Sequence, residues 1–115
     1  MTIYESLLFS HNWNNKLECN IFTTVRLHQP KKHFAGAKKT VYLKKQLHSN
    51  IVIIEVVTLT LAKIKPWIKM MDVGYEKAEE FDTIIKTMYK NKNINWDTQL
   101  LDVSICHVIE RIKTQ

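Results

Sequence analysis

Ile51-Val-Ile-Ile-Glu-Val-Val-Thr-Leu-Thr-Leu61 is a run of β-branched and aliphatic residues broken once by a charge, Glu55. Val, Ile and Thr at this density predict one long strand. Whether it lies inside a sheet or at an edge free to pair with another copy is left open by the sequence. Upstream, Ile21 to Leu27 alternates. Ile21, Thr23, Val25 and Leu27 fall on one face and Phe22, Thr24 and Arg26 on the other, so the second face is expected to meet solvent or ligand. Thr40 to Leu43 predicts another strand, reached through a loop from Gln29 to Gly36. Leu7-Leu8-Phe9 is a short apolar segment, and Asn12-Trp13-Asn14-Asn15 a polar turn or helical connection around one aromatic anchor.

Downstream of the long run the period changes. Lys63 to Met71 predicts a helix with Pro66 tolerated in its first turn. Glu76 to Tyr89 predicts a second helix, with Ala78, Phe81, Ile84, Ile85 and Met88 at spacings of three and four. Its acids Glu76, Glu79 and Glu80 crowd the N-terminal end, where the helix dipole favours them. From Leu100 to Ile112 alternation returns as a closing strand. Strands at both ends, interrupted late by two helices, predict an α+β fold: a curled, mainly antiparallel sheet or small barrel with helices packed on its opening.

The chain of 115 residues with 45% apolar content is expected to form one domain, spanning 1–115, with a core large enough to need no disulfide or metal. Cys19 and Cys106 lack any CxxC or Cys/His ligand spacing and are expected to be buried free thiols. His11, His28, His33, His48 and His107 are scattered without HxxxH or HxH spacing, so no metal and no cofactor is expected. Only Gly36 and Gly74 are glycines, which excludes a GxGxxG or Walker loop. No secretory apolar segment opens the sequence and no apolar run approaches membrane-spanning length, so a reduced, cytoplasmic protein without membrane contact is expected.

Charge is unevenly spread beneath the net +6. Between Glu18 and Glu55 lie 36 residues without a carboxylate, carrying Arg26, Lys31, Lys32, Lys38, Lys39, Lys44 and Lys45. Without internal partners these cations would attract phosphates before any specific contact forms. The plain alternative is a lysine-rich surface with no ligand.

The order of these segments, with Thr23-Thr24-Val25-Arg26, a loop to Gly36, Val41-Tyr-Leu43 and an acidic helix ending in Met88-Tyr89, resembles the ASCH domain family of the PUA-like superfamily over nearly the whole chain. The resemblance implies a small PUA-like β-barrel of about five or six mainly antiparallel strands, with helices at its opening. It also implies a cleft between barrel and helices and a tendency to bind RNA or nucleotides. The chain is similar in particular to the small bacterial acetylcytidine amidohydrolases, whose G-x-K-T-x-T-x-R segment falls on Cys19 to Arg26. Thr24 and Arg26 match, whereas the glycine and lysine positions hold Cys19 and Ile21. The family's glutamate before the acidic helix is replaced near Gly74-Tyr75.

The residues thus point first to an RNA- or nucleotide-binding module. Arg26 would fork to a phosphate or base edge, Thr24 would assist beside it, and Lys38, Lys39, Lys44 and Lys45 would track a backbone. Trp13, Tyr75 and Trp96 are the aromatic candidates, each either a stacking face or a cap on the core. Asp72 is expected to orient Arg26 through a salt bridge rather than to act in catalysis. One alternative is an amidohydrolase of an acylated or modified nucleoside centred on Thr24, with Lys16 or Asp72 substituting for the missing groups. The other is a protein-interaction domain with a vestigial cleft. The catalytic residues and the oligomeric state are left open.

Overall fold

The Val/Ile-rich run lies in the middle of a sheet. In the computed structural model, which describes residues 1–112, five strands are ordered β1-β3-β4-β5-β2: β1 (Glu5–Phe9), β2 (Ile21–Leu27), β3 (Lys38–Leu43), β4 (Gln46–Thr60) and β5 (Leu100–Arg111). β4 is therefore internal, flanked by β3 and β5, and the sheet's two edges are β1 and β2. Only β1 and β3 run parallel; the other neighbours are antiparallel. The result is a five-stranded mixed half-barrel with two helices, α1 (Pro66–Val73) and α2 (Phe81–Met88), in an α+β arrangement.

Curvature explains why β4 reads as an apolar run interrupted only at Glu55. Its pairing with β5 passes from Ile53 opposite Cys106 to Glu55 opposite Ile105, leaving Ile54 as a bulge. A bulge inverts the side-chain parity and bends the strand. Before it, Ile51 and Ile53 enter the barrel interior beside Leu7, Leu17, Phe22 and Val41; after it, Val56 joins that interior while Leu59 turns to the helices. Glu55 stays exposed at the break.

β2 departs from its predicted alternation. Phe22, Thr23, Thr24 and Val25 are all buried, while Ile21, expected on the core face, is half exposed. Both faces of β2 are covered. Phe22 packs edge-on to Phe9 at 6.0 Å in the barrel interior, and Val25 packs under Ile68, Phe81 and Ile85 of the helices. A fully buried Phe81 stabilises this layer by about 2–3 kcal/mol.

The predicted helix from Glu76 to Tyr89 divides. Tyr75–Glu80 is a 3₁₀ segment with no buried residue, and α-helix starts only at Phe81, where Phe81 and Ile85 at i, i+4 gain a core to pack on. α1 begins at Pro66, three residues after the predicted start at Lys63, and runs to Val73, with Gly74 capping it. Gly74 has φ +91°, and a Cβ there would stand 3.0 Å from the Asn14 side chain. Its bare backbone thus lets the end of α1 rest on the 3₁₀ turn Trp13–Glu18. Asn14 and Asn15 take φ values of 55° and 54° within that turn, a region asparagine tolerates. Arg111 donates to the carbonyls of Leu17, Glu18 and Cys19 and fastens the turn to β5. Of the cysteines, Cys106 is buried but Cys19, at the end of this turn, is exposed, contrary to expectation.

Lys44 and Lys45 form the two-residue turn between β3 and β4, both with positive φ, 51° and 68°. Two-residue hairpins select this mirror-image turn because it matches strand twist, and they favour an asparagine followed by a glycine there. The double substitution Lys44→Asn with Lys45→Gly is expected to stabilise the fold by about 1 kcal/mol or more in urea unfolding, because each lysine holds a left-handed conformation it disfavours.

Candidate functional site

The half-barrel does not close. Between the free edges of β1 and β2 the bridge is a side chain: Arg26 on β2 donates from a terminal nitrogen to the Leu8 carbonyl on β1 at 2.6 Å. Its Nε–H donates to Thr24 Oγ1 at 3.0 Å, and its guanidinium lies 4.8 Å from the centre of the Phe9 ring. On one side of this bridge opens a cleft of about 400 Å³ bounded by β2, the end of β1, the 3₁₀ turn and α2. Trp13, Phe9, Ile84 and Met88 give it apolar walls, and Thr24, Arg26, Lys16 and Asp72 supply its polar groups.

Lys16 and Asp72 form a buried ion pair at 2.8 Å, and Thr23 donates to the same carboxylate oxygen at 3.0 Å. Burial pushes the Lys16 ammonium below its ordinary pKa, and the neighbouring Asp72 charge and hydrogen bond only partly restore it. Asp72 was expected to orient Arg26. Its carboxylate instead takes Lys16 and Thr23, because Gly74 and Asn14 dock the segments carrying Asp72 and Lys16 against each other. Lys16 arrives from outside the strand motif, which puts an ammonium into the cleft although Ile21 holds the motif's lysine position.

The other predicted site residues separate. Thr24, Arg26 and Trp13 line the cleft together. Tyr75 is exposed and lines a neighbouring depression with Trp13 and Asn14. Trp96 packs beside Tyr89 against the helix-side core, which is the capping role. Lys38, Lys39, Lys44 and Lys45 do not line the cleft. Lys38 lies 5.7 Å from the centre of the Tyr4 ring, and Lys44 and Lys45 sit in the hairpin turn. Lys39 is buried and ion-paired with Glu5, so the expectation of a block without internal partners is corrected. Sequence distance hid that carboxylate, because the parallel β1–β3 pairing sets Glu5 opposite Lys39.

A second carboxylate in the basic block comes from still farther away. Asp102 of β5, opposite Arg26 in register, accepts from His28 Nδ1 (2.7 Å), His33 Nδ1 (2.7 Å), the Gln29 backbone N–H (2.9 Å) and Thr58 Oγ1 (2.8 Å). A carboxylate only accepts, so each imidazole donates from a protonated Nδ1. Burial pushes Asp102 upward, but these bonds outweigh it and hold the carboxyl below its ordinary range. Scattered histidines gave no signal of this cluster, which ties the Gln29–Gly36 loop to the sheet. Among the described residues, no group of three or more His, Cys, Asp or Glu side chains is placed to hold a metal, and no helix is long and apolar enough to cross a membrane.

No family model and no curated protein matches the sequence. The fold is similar to the crystal structure of protein EF3133 from Enterococcus faecalis V583, described under the family model DUF984. The TM-score is 0.70 at 13% identity, with the similarity covering all of this chain and 86% of that one. At that identity the likeness establishes the fold.

Two outcomes test the geometry. Lys16→Met strands a buried carboxylate and is expected to destabilise by about 3–5 kcal/mol, whereas Lys16→Met with Asp72→Leu recovers most of the loss, as a double-mutant cycle in urea would measure. Asp102 contributes stability fully above the unfolded carboxylate pKa of about 4, and loses it as pH falls through the lower native value. Asp102→Asn is therefore expected to lower stability at about pH 7 by about 1–3 kcal/mol and to flatten the acid limb of a stability-against-pH curve.

Proposed function

We propose that the cleft binds a nucleotide, either free or as one unit of an RNA, with its base against Trp13 and the apolar wall of α2 and its polar edge on Arg26 and Thr24. One observation carries this reading. Of the five N–H donors of Arg26, Nε–H and one terminal N–H are held by Thr24 and Leu8, leaving three without a partner among the described residues. A guanidinium pinned at one end of an apolar-walled cleft is a pre-organised donor for a base edge or phosphate. Trp13 offers a face of the kind on which bases stack.

The dispersal of Lys38, Lys39, Lys44 and Lys45 favours recognition of a single nucleotide unit over tracking of a long strand. The assignment to the ASCH branch of the PUA-like folds, and with it a cytoplasmic role in RNA or nucleotide biology, belongs to this proposal. It accords with the Thr24 and Arg26 match and with the half-barrel.

A second reading rests on Lys16. A buried ammonium of lowered pKa, paired with Asp72, lines the same cleft as Thr24, so Lys16 and Asp72 offer replacements for the lysine and glutamate that the amidohydrolase motif lacks. Against it, Lys16 is committed to Asp72, and among the described residues the Thr24 hydroxyl, which accepts from Arg26, donates to no base.

Calorimetric titration with nucleosides, nucleoside monophosphates and short single-stranded RNA tests both. Arg26→Ala and Trp13→Ala are each expected to weaken binding by about tenfold or more. RNA affinity is expected to change little once the oligomer exceeds a few nucleotides. Hydrolysis of an acylated nucleoside that disappears in Thr24→Ala would favour the second reading. Absence of binding to any of these ligands would overturn both and leave an interaction domain with a vestigial cleft.

A further inference from the structure

On the opposite side of Arg26 from the cleft lies a smaller cavity of about 240 Å³, set in the seam between β1 and β2. Four basic side chains line it: Arg26 from β2, Lys39 from β3, and Lys32 and His33 from the loop. The one carboxylate in its lining is Glu5, ion-paired with Lys39. Two of the four are built in, and Lys32 is exposed. The Lys39 side chain is only 6% exposed, and His33 is fixed by its Nδ1 bond to the buried Asp102. The hydrogen bond and charge of Lys39 hold the Glu5 carboxyl below its ordinary range, and the charges of Lys32 and His33 act on it in the same direction.

Neutral donors face the seam as well. Tyr89 Oη accepts from the Leu27 N–H at 3.3 Å, which leaves its own proton to donate. Leu8 turns its carbonyl across the seam to Arg26, and backbone groups alternate along a strand. Ser6 therefore turns its N–H to the same side. Arg26, Lys32 and Lys39 facing one carboxylate are an electrostatically unbalanced set, and the carboxylate that partly balances them is half exposed, on an edge strand.

We propose that the seam is a phosphate-binding site in which the Glu5 carboxylate is a resident stand-in that an incoming phosphate displaces. Arg26 is the wall common to cleft and seam, so a nucleoside monophosphate would place its base in the cleft and its phosphate in the seam. That second step rests on the nucleotide reading of the cleft; the phosphate site does not.

The experiment is calorimetric titration of the full chain and its Glu5→Gln, Lys32→Ala and Lys39→Met variants with inorganic phosphate, a nucleoside and the corresponding monophosphate. Phosphate is expected to bind the native chain, about tenfold more tightly to Glu5→Gln and about tenfold more weakly to Lys39→Met and Lys32→Ala. Lys32 is exposed and its loss spares the fold, so that variant remains informative if Lys39→Met unfolds. The monophosphate is expected to gain from Glu5→Gln while the nucleoside does not. Phosphate binding that is absent, or that Glu5→Gln leaves unchanged or weakens, overturns the site. A nucleoside that binds when phosphate does not sinks the seam and spares the cleft. Phosphate that binds when neither the nucleoside nor the monophosphate gains from the cleft spares the seam and sinks the nucleotide reading.

Discussion

Arg26 replaces hydrogen bonds that a closed barrel would make between backbones. The sheet has two open edges, β1 and β2, and this one guanidinium crosses from one to the other, reaching the Leu8 carbonyl and the face of Phe9 while anchored on Thr24. A closed ladder would have filled the gap with main chain and left no cavity. An uncrossed gap would have left the free edges to pair elsewhere. A side-chain bridge holds the edges in place and keeps space on both sides of itself, so the cleft and the seam are two consequences of one residue's reach.

The polar groups around that bridge are organised by two carboxylates at different depths. Asp72 holds Lys16 and Thr23 between the 3₁₀ turn and α1, whereas Asp102 holds two imidazoles, a backbone N–H and Thr58 on the other side of the sheet. Each joins segments distant in sequence and each satisfies a set of buried donors. The buried side-chain polar atom without a partner among the described residues is the Ser104 hydroxyl, on β5 opposite Thr24. Polar groups this well satisfied fix the positions of Lys16 and His33.

Much of the fold was legible because it depends on local composition. β4 and β5 announce themselves by their Val and Ile content, Pro66 marks the first turn of α1, and the strip from Phe81 to Ile85 marks α2. What escaped depends on register and curvature. The bulge at Ile54 breaks strict alternation, and β2 is covered on both faces, so the inside-out reading of Ile21 to Leu27 fails at Ile21. At the site, Thr24, Arg26 and Trp13 were legible as a motif and an aromatic in a polar turn. The partners Lys16–Asp72 and Lys39–Glu5 were not, since charge counted along the chain ignores carboxylates that strand pairing brings from outside the window. The Lys-Lys turn at residues 44 and 45 was equally hidden, because lysine carries no turn signal.

The pairing of β2 with β5 has a consequence for the order in which the molecule can assemble. His28 and Asp102 meet although they are 74 positions apart in the chain, and Arg26 faces Asp102 in register. Contacts of such separation form late, because the entropy of closing the loop precedes any gain from the contact. On a ribosome, β1, β3 and β4 can find one another early, while β2 waits for β5 to emerge. Until then two histidines, a lysine-rich loop and an unpaired strand edge remain in the open, and neither cavity exists. The binding geometry is thus acquired only once β5 is available to pair.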